Sequence, residues 1–235
     1  MLSSVLRAIA DEFSPAVLAS SLSAEDMVLT SAIARAGLPI GIFVLDTGRL
    51  HAETLNLIPE IRREYGIQVE VFRPAAKSVE EYVATHGRDA FYGSVELRKR
   101  CCEIRKVEPL RRALAGRRAW ITGQRREHSA GRAALPEREH DSVHQMEKFN
   151  PLADWTEKAV WDYLRLHRVP FNRLYEQGYR SIGCAPCSRP VLPGEDVRAG
   201  RWWWEQPEHK ECGLHVAPGP QAGISFKRKE VIHAG

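Results

Sequence analysis

Apolar and polar positions along the chain fall into two rhythms that take turns. Ala16–Ser20 is a short apolar run ending in a serine-rich turn. Positions 24–36 then carry Met27, Val28, Ala32 and Ile33 at helical spacing, closed by Gly37-Leu38-Pro39. Positions 39–46 (PIGIFVLD) form a continuous apolar run, which predicts a buried strand, with a turn at TGRL. A helix is predicted over 53–65 with Gly66 as its stop, an alternating strand over 67–73 and a short helix over 78–86. Positions 97–114 read as mostly helical, with Pro109 as a kink or a new helix start, and 119–122 (AWIT) as another strand. Strands alternating with helices predict a parallel sheet in an α/β layered fold. The rhythm then changes. Positions 129–138 are small and polar and predict a loop, and Asp154-Trp-Thr-Glu157 has the form of a capping box before a helix over 158–167. From Gly183 onward the chain is rich in Gly, Pro and Trp, and no internal repeat is visible.

At 235 residues, with 43% hydrophobic and 27% charged residues, the chain has globular composition, which excludes a disordered chain, a collagen and a disulfide miniprotein. No run approaches the ~18 apolar residues of a membrane span. The first residues hold Asp11 and Glu12 within a short apolar pattern, so no signal peptide is expected and a cytoplasmic location is the default reading. Net charge is +4, but unevenly spread: between Arg98 and Arg132 there are twelve Lys/Arg and three acids. Such a block suits an anionic small molecule, or else a solvated helix face with a nucleic-acid patch.

Cysteine spacing narrows the chemistry. Cys101 and Cys102 are adjacent, Cys184 and Cys187 form a Cys-x-x-Cys, and Cys212 stands alone. Adjacent helical residues diverge by about 100°, awkward for two ligands of one zinc ion but suited to separate corners of an iron–sulfur cubane. A 4Fe–4S cluster is therefore favoured over zinc, with a redox disulfide or plain buried thiols as the remaining readings. Lys106, four residues after Cys102, is expected on the same helical face, between cluster and ligand. Ser20-Ser-Leu-Ser-Ala-Glu-Asp26 lies between a predicted strand and helix, where an open α/β sheet binds anions on helix N-terminal amides. The plainer reading is an N-cap, with Ser23 capping and Asp26 at N3. Leu45-Asp46-Thr47-Gly48 would flank the same crevice. Cys212 sits in a polar, charged segment, the setting of a reactive thiol, with Gly213 allowing close approach and His215 either tuning it or lying on the surface. Arg198 and Arg201, three apart, suit a phosphate or sulfate. Trp202-Trp-Trp204 reads as a packing device.

Together SLSAEDMVL, LDTGRLHAET, KRCCEIRKVEPL, GQRREHS, NPLADWT, GCAPCSRP, GRWWWE and KECGLH resemble the assimilatory adenylyl-sulfate reductases of the wider APS/PAPS reductase family, in family order from Ser21 to His215. The resemblance implies an adenine-nucleotide α-hydrolase-like α/β fold related to the ATP pyrophosphatases. Residues 1–195 would form the nucleotide-binding domain carrying the cluster, and 196–235 a mobile C-terminal tail with the catalytic cysteine. The usual SGGxDS loop is altered to SLSAED, in keeping with a ligand lacking a β,γ-pyrophosphate. Carried over by motif, the cluster ligands fall on Cys101, Cys102, Cys184 and Cys187, the nucleophile on Cys212, and the catalytic companions on His215 and Lys106. Substrate contacts fall on Ser21, Ser23, Leu45, Asp46, Gly48, Lys106, Arg132, Arg198 and Arg201; Arg132 is the counterpart of an arginine whose loop is one residue longer in relatives. The implied activity is reduction of adenosine 5'-phosphosulfate (APS) to sulfite and AMP, with thioredoxin or a glutaredoxin-like protein as reductant. No nucleic-acid or membrane partner is expected, and a homo-oligomer is left open. Alternatives are a PAPS reductase, an ATP-dependent tRNA thiolation enzyme, which would keep the SGGxDS loop, and an iron–sulfur nucleic-acid sensor, which would not need Cys212.

Overall fold

Strands β1 (Ala16–Ser20), β2 (Ile40–Leu45), β3 (Glu70–Phe72), β4 (Ala119–Ile121), β5 (Arg138–Asp141) and β6 (Met146–Phe149) form one sheet, ordered β3-β2-β1-β4-β6-β5. The computed structural model describes residues 2–206. All neighbouring pairs are parallel except β5–β6. The helices are α1 (Leu2–Glu12), α2 (Ala24–Arg35), α3 (Ala52–Tyr65), α4 (Ala76–His86), α5 (Val95–Cys102), α6 (Glu108–Leu114) and α7 (Glu157–Leu166).

The inner strands are continuously apolar because both faces of the sheet are covered. Successive strand residues point to opposite faces. Leu18, Ile42, Val44, Ala119 and Ile121 pack with Leu6, Met27, Leu29, Ile33, Leu57, Ile61, Val160 and Leu164, from α1, α2, α3 and α7. Their neighbours Val17, Phe43 and Trp120 face the other way, onto Leu110, Ala113 and Leu114 of α6 and Met146 of β6. Each such fully buried aliphatic side chain contributes roughly 1.5–3 kcal/mol of transfer free energy, so the two clusters hold the layers together. The chain leaves β1 toward β2 on one side and returns as β4 on the other, which opens a crevice at the C-terminal ends of these strands.

Several expectations needed correction. The strand expected over 67–73 shortens to Glu70–Phe72, because this edge strand pairs only with Phe43–Leu45. The helix expected over 97–114 is interrupted by a π-helical turn at Glu103–Val107, while Pro109 is the second residue of α6, the helix start expected there. The N-cap of α7 is Thr156, whose hydroxyl accepts from the Ala159 N–H at 3.1 Å, so Asp154 is not the cap; it pairs with Arg126 instead. Helix α1 and the β5–β6 hairpin had no counterpart in the sequence reading. The hairpin is rich in charge, with Arg138–Glu147 and Lys148–Glu139 pairs across its strands, while Met146 and Phe149 of β6 are buried in the two core clusters. No described helix is long and apolar enough to cross a membrane.

Candidate active site

The β1–α2 loop supplies one wall of the crevice, with Ser21 and Ser23 among its lining residues. Ser23 is the N-cap of α2 by backbone conformation, but its hydroxyl does not take a helix amide. Instead Asp26 Oδ2 gathers the Ser21 N–H and Ser21 Oγ at 2.7 Å each and Ser23 Oγ at 3.1 Å. The carboxylate thus folds the loop back on itself, and burial pushes its pKa up. Leu22, between the two serines, holds φ +62° with its side chain fully buried. This left-handed geometry is one that glycine adopts freely, so the altered loop keeps a glycine-like turn and fixes it by burying a leucine. Tyr175 reaches in from the far side, its hydroxyl accepting from the Ala24 N–H at 3.1 Å.

The β2–α3 loop forms a second wall through Leu45, Thr47 and Leu50. Asp46 and Gly48 do not line the crevice. Asp46 shapes the turn, accepting from the Gly48 N–H at 3.0 Å and from Arg73 Nε at 2.9 Å. Gly48 has φ +69°. The turn directs Thr47 inward, where its carbonyl accepts from Arg105 at 2.7 Å and its hydroxyl lies 3.2 Å from the Cys184 sulfur.

Lys106, Arg132, Arg198 and Arg201 all line this one crevice, although they come from three separate stretches of chain. Lys106 is carried by the π-helical turn, which replaces the α-helical face expected of it. The Arg201 guanidinium lies flat on Gly183, where an added Cβ would stand 2.5 Å from a guanidinium nitrogen. Its other face covers the Trp202 ring at 4.5 Å. With Arg125 and Arg180 these four make six cations against the carboxyls of Glu25, Asp26 and Glu157 in the crevice lining, a positive excess that suits an anionic ligand.

None of Cys101, Cys102, Cys184 and Cys187 forms a disulfide among the described residues, and Cys184 lines the crevice. Cys184 and Cys187 share a buried cluster with Phe91 and Trp202, against which Cys101 and Trp204 pack. The Cys184–Cys187 loop is pinned by an Ala185 N–H to Arg49 carbonyl bond of 2.7 Å and by the Tyr92 hydroxyl on the Pro186 carbonyl at 2.8 Å. Burial, then the neighbouring Cys184, pushes the Cys187 thiol up to about 12, against the pull of Lys106 and Arg201. Burial likewise raises Cys101, against Arg105 and Lys106. The indole N–H groups of Trp202 and Trp204 and the Arg201 Nε are buried with no partner among the described residues. No group of three or more His, Cys, Asp or Glu among the described residues is disposed to hold a single metal ion. Cys212 and His215 lie outside the described residues.

Three crevice residues escaped the sequence reading. Glu25 accepts from Arg125 Nε at 2.9 Å and lies 2.9 Å from the half-buried His128 at its Nε2, so that a buried ion pair and an imidazole stand beside Arg132. Their signal was present only as letters inside SLSAED and GQRREHS; it takes the pairing of β1 with β4 to set the two loops side by side.

Comparison with known proteins agrees with this arrangement. The family profile of the phosphoadenosine phosphosulfate reductase domain matches residues 15–190. The adenosine 5'-phosphosulfate reductase of Burkholderia cepacia is 58% identical over 215 residues, covering 92% of this chain and 86% of its own. The chain belongs to the APS/PAPS reductase family. The like-named protein of Allochromatium vinosum is 57% identical over 211 residues, covering 90% of this chain and 82% of its own. Among solved structures, the PAPS reductase of Candida auris superposes with a TM-score of 0.69 at 27% identity, covering 81% of this chain and 90% of that one. An FMN adenylyltransferase of Candida glabrata reaches 0.54 at 15% identity, covering 95% and 78%, which speaks to the fold alone. The APS/PAPS reductase chain thus has the adenine-nucleotide α-hydrolase-like α/β fold that its motifs implied.

Proposed function

We propose that the protein is an assimilatory APS reductase, converting APS to sulfite and AMP at the expense of a thioredoxin or glutaredoxin-like dithiol. The observation that carries this reading is the convergence of Lys106, Arg132, Arg198 and Arg201 on a serine-lined crevice at the strand ends, beside the packed thiols of Cys101, Cys184 and Cys187. The names borne by relatives at 57–58% identity favour APS over PAPS.

In this reading the adenosine lies along the β2–α3 loop near Leu45, and the phosphosulfate extends among the four cations. The Cys212 thiolate attacks the sulfate sulfur, the S–O bond to the phosphate breaks, and AMP leaves with the electron pair. Nucleophile and electrophile are both anionic. Lys106, Arg132, Arg198 and Arg201 offset that repulsion, and their positions are fixed before reaction, so little reorganisation is needed. A reductant thiolate then attacks the Cys212 sulfur, expelling sulfite, and its second thiol resolves the mixed disulfide. The two thiols supply both electrons. His215 serves as the companion of Cys212 in this scheme.

The four thiols fit a 4Fe–4S cluster. They are soft donors: Cys101, Cys184 and Cys187 pack on one patch, Cys102 is next to Cys101 in sequence, Arg105, Lys106 and Arg201 act on the patch, and three buried N–H donors beside it lack partners among the described residues. Cys101, Cys102, Cys184 and Cys187 would hold it, and when bound it supplies fixed structure and an electrostatic field next to Lys106. Protein purified without oxygen is expected to be brown with about four irons per chain; stoichiometric zinc without sulfide contradicts this.

Holoprotein mixed with APS and no reductant is expected to gain one SO3 adduct, mapped to Cys212 by peptide mass. Cys212→Ser should keep iron and fold yet form neither adduct nor sulfite. An adduct on another cysteine, turnover by the serine variant, or a higher kcat/KM with PAPS overturns the assignment.

A further inference from the structure

His128 connects a buried carboxylate to Arg132, one of the crevice cations, and its hydrogen bonds fix its tautomer. Its Nδ1 lies 3.2 Å from the Arg125 backbone N–H and 3.2 Å from Arg132 Nη1. Both of those groups can only donate, so Nδ1 must be the acceptor and carry no proton. Its Nε2 lies 2.9 Å from Glu25 Oε1. Burial works against the charge of Glu25, but the hydrogen bond from His128 and the adjacent Arg125 guanidinium hold its carboxyl well below the usual range. An ionised carboxylate can only accept, so Nε2 carries the imidazole proton. Glu25 itself is fixed from the other side by Arg125 Nε at 2.9 Å, and Arg125 is fixed in turn by Glu127 at 2.9 Å and the Trp155 carbonyl at 3.0 Å.

We propose that His128 is a positioning residue for Arg132: it is locked as the neutral Nε2–H tautomer by Glu25, offers its Nδ1 lone pair to the Arg132 guanidinium, and lets that cation go when it becomes protonated. The inference rests on the reading that Arg132 meets the anionic end of the substrate. Arg132 sits on a short turn four residues after His128, and it lines the crevice together with His128, Glu25 and Arg125. A guanidinium on an exposed turn has many rotamers; a directional acceptor at Nδ1 selects the one that keeps it over the crevice, lowering the ordering cost on binding. The groups facing the imidazole are Glu25 from α2, which favours the imidazolium, and Arg125 and Arg132, which oppose it, with Glu127 paired to Arg125 alongside. Protonation at Nδ1 would set a third N–H against two donors and add a positive charge beside Arg132. Substrate affinity should therefore weaken toward acid.

A glutamine can reproduce both bonds without titrating, its carbonyl accepting from Arg132 and its NH2 donating to Glu25. The test compares holoenzyme of wild type, His128→Gln and His128→Leu for kcat/KM with APS as a function of pH, with nitrogen-15 NMR of the His128 ring in wild type. The expected result is an unprotonated Nδ1 and a protonated Nε2 at neutral pH, and a kcat/KM that falls toward acid in wild type. His128→Gln should restore neutral activity and lose the acid limb attributable to residue 128, and His128→Leu should lose about tenfold or more at all pH values. An Nδ1–H tautomer overturns the proposal whatever the substrate is. So does a glutamine variant as impaired as the leucine variant, or one that keeps the wild-type acid limb. Absence of APS turnover by wild type would instead fall on the proposed function, and the ring nitrogens would then decide this inference alone.

Discussion

Replacing Glu205 by glutamine removes the negative half of a buried ion pair and leaves the positive half in place. Arg98 on α5 and Glu205 meet in a bidentate bond of 2.9 and 2.7 Å, with side-chain exposures of 1% and 3%. The guanidinium also covers the Trp202 ring at 4.9 Å. This pair ties the segment bearing Arg198 and Arg201 to the helix bearing Cys101 and Cys102. Arginine cannot shed its proton to escape, so Glu205→Gln leaves a buried charge facing a neutral amide. Breaking a buried pair from one side costs about 3–5 kcal/mol, whereas an exposed pair is worth at most about 1 kcal/mol. For a chain of this size each kcal/mol moves Tm by about 2–4 °C, so a fall of roughly 6–20 °C is expected. Thermal and urea unfolding of the same holoprotein preparation measure it. Hydrogen exchange at the Trp202 indole should quicken, because opening this segment is the easiest way for water to reach Arg98. The double variant Arg98→Met with Glu205→Leu should recover most of the loss, since no charge is then stranded. A loss under about 1 kcal/mol with unchanged Trp202 exchange would refute the reasoning, and so would a double variant worse than Glu205→Gln.

Two further outcomes follow from local geometry. Gly183→Ala would place a Cβ 2.5 Å from the Arg201 guanidinium; displacing that cation should raise KM for APS about tenfold or more while the sheet remains intact, and an unchanged KM would show that Arg201 is not a substrate contact. Burial opposes the ionisation of Asp141, but hydrogen bonds from His144 and Val143 hold its carboxyl below the ordinary 3.8; folding therefore releases a proton there, and its stabilisation is present above that value and lost as pH falls through the lowered one. The stability gap between wild type and Asp141→Asn should close as the medium is acidified below about pH 4; a gap that widens instead would contradict the sign.

The short-range features were legible from the chain. The inner strands at 16–20, 40–45 and 119–121 announced themselves because burial on both faces demands unbroken apolar runs. The end of α3 was fixed by Gly66, at φ +67°. The motif cysteines and arginines stood out because thiol and guanidinium spacing has few other uses. Strand β6 was hidden because Lys148, a buried residue of that strand, reads as polar while its ammonium lies over Trp120 and pairs with Glu139. Helix α1, by contrast, is amphipathic and could have been found.

What the sequence alone determined was the layered α/β class and the kinds of chemistry available: soft thiols, a basic crevice and a helix-start loop rich in hydroxyls. Tertiary structure decided which of these groups share a site. It placed Asp46 and Gly48 in the turn rather than the crevice wall, set Lys106 on a π-helical turn, and brought Glu25, a hundred residues distant in sequence, against Arg125 and His128. The physical reason lies in range. Backbone propensity and hydrophobic period act over a few residues and are written locally, whereas a hydrogen bond or an ion pair acts within about 3–4 Å in space and is specified only once the sheet order has fixed which loops are neighbours.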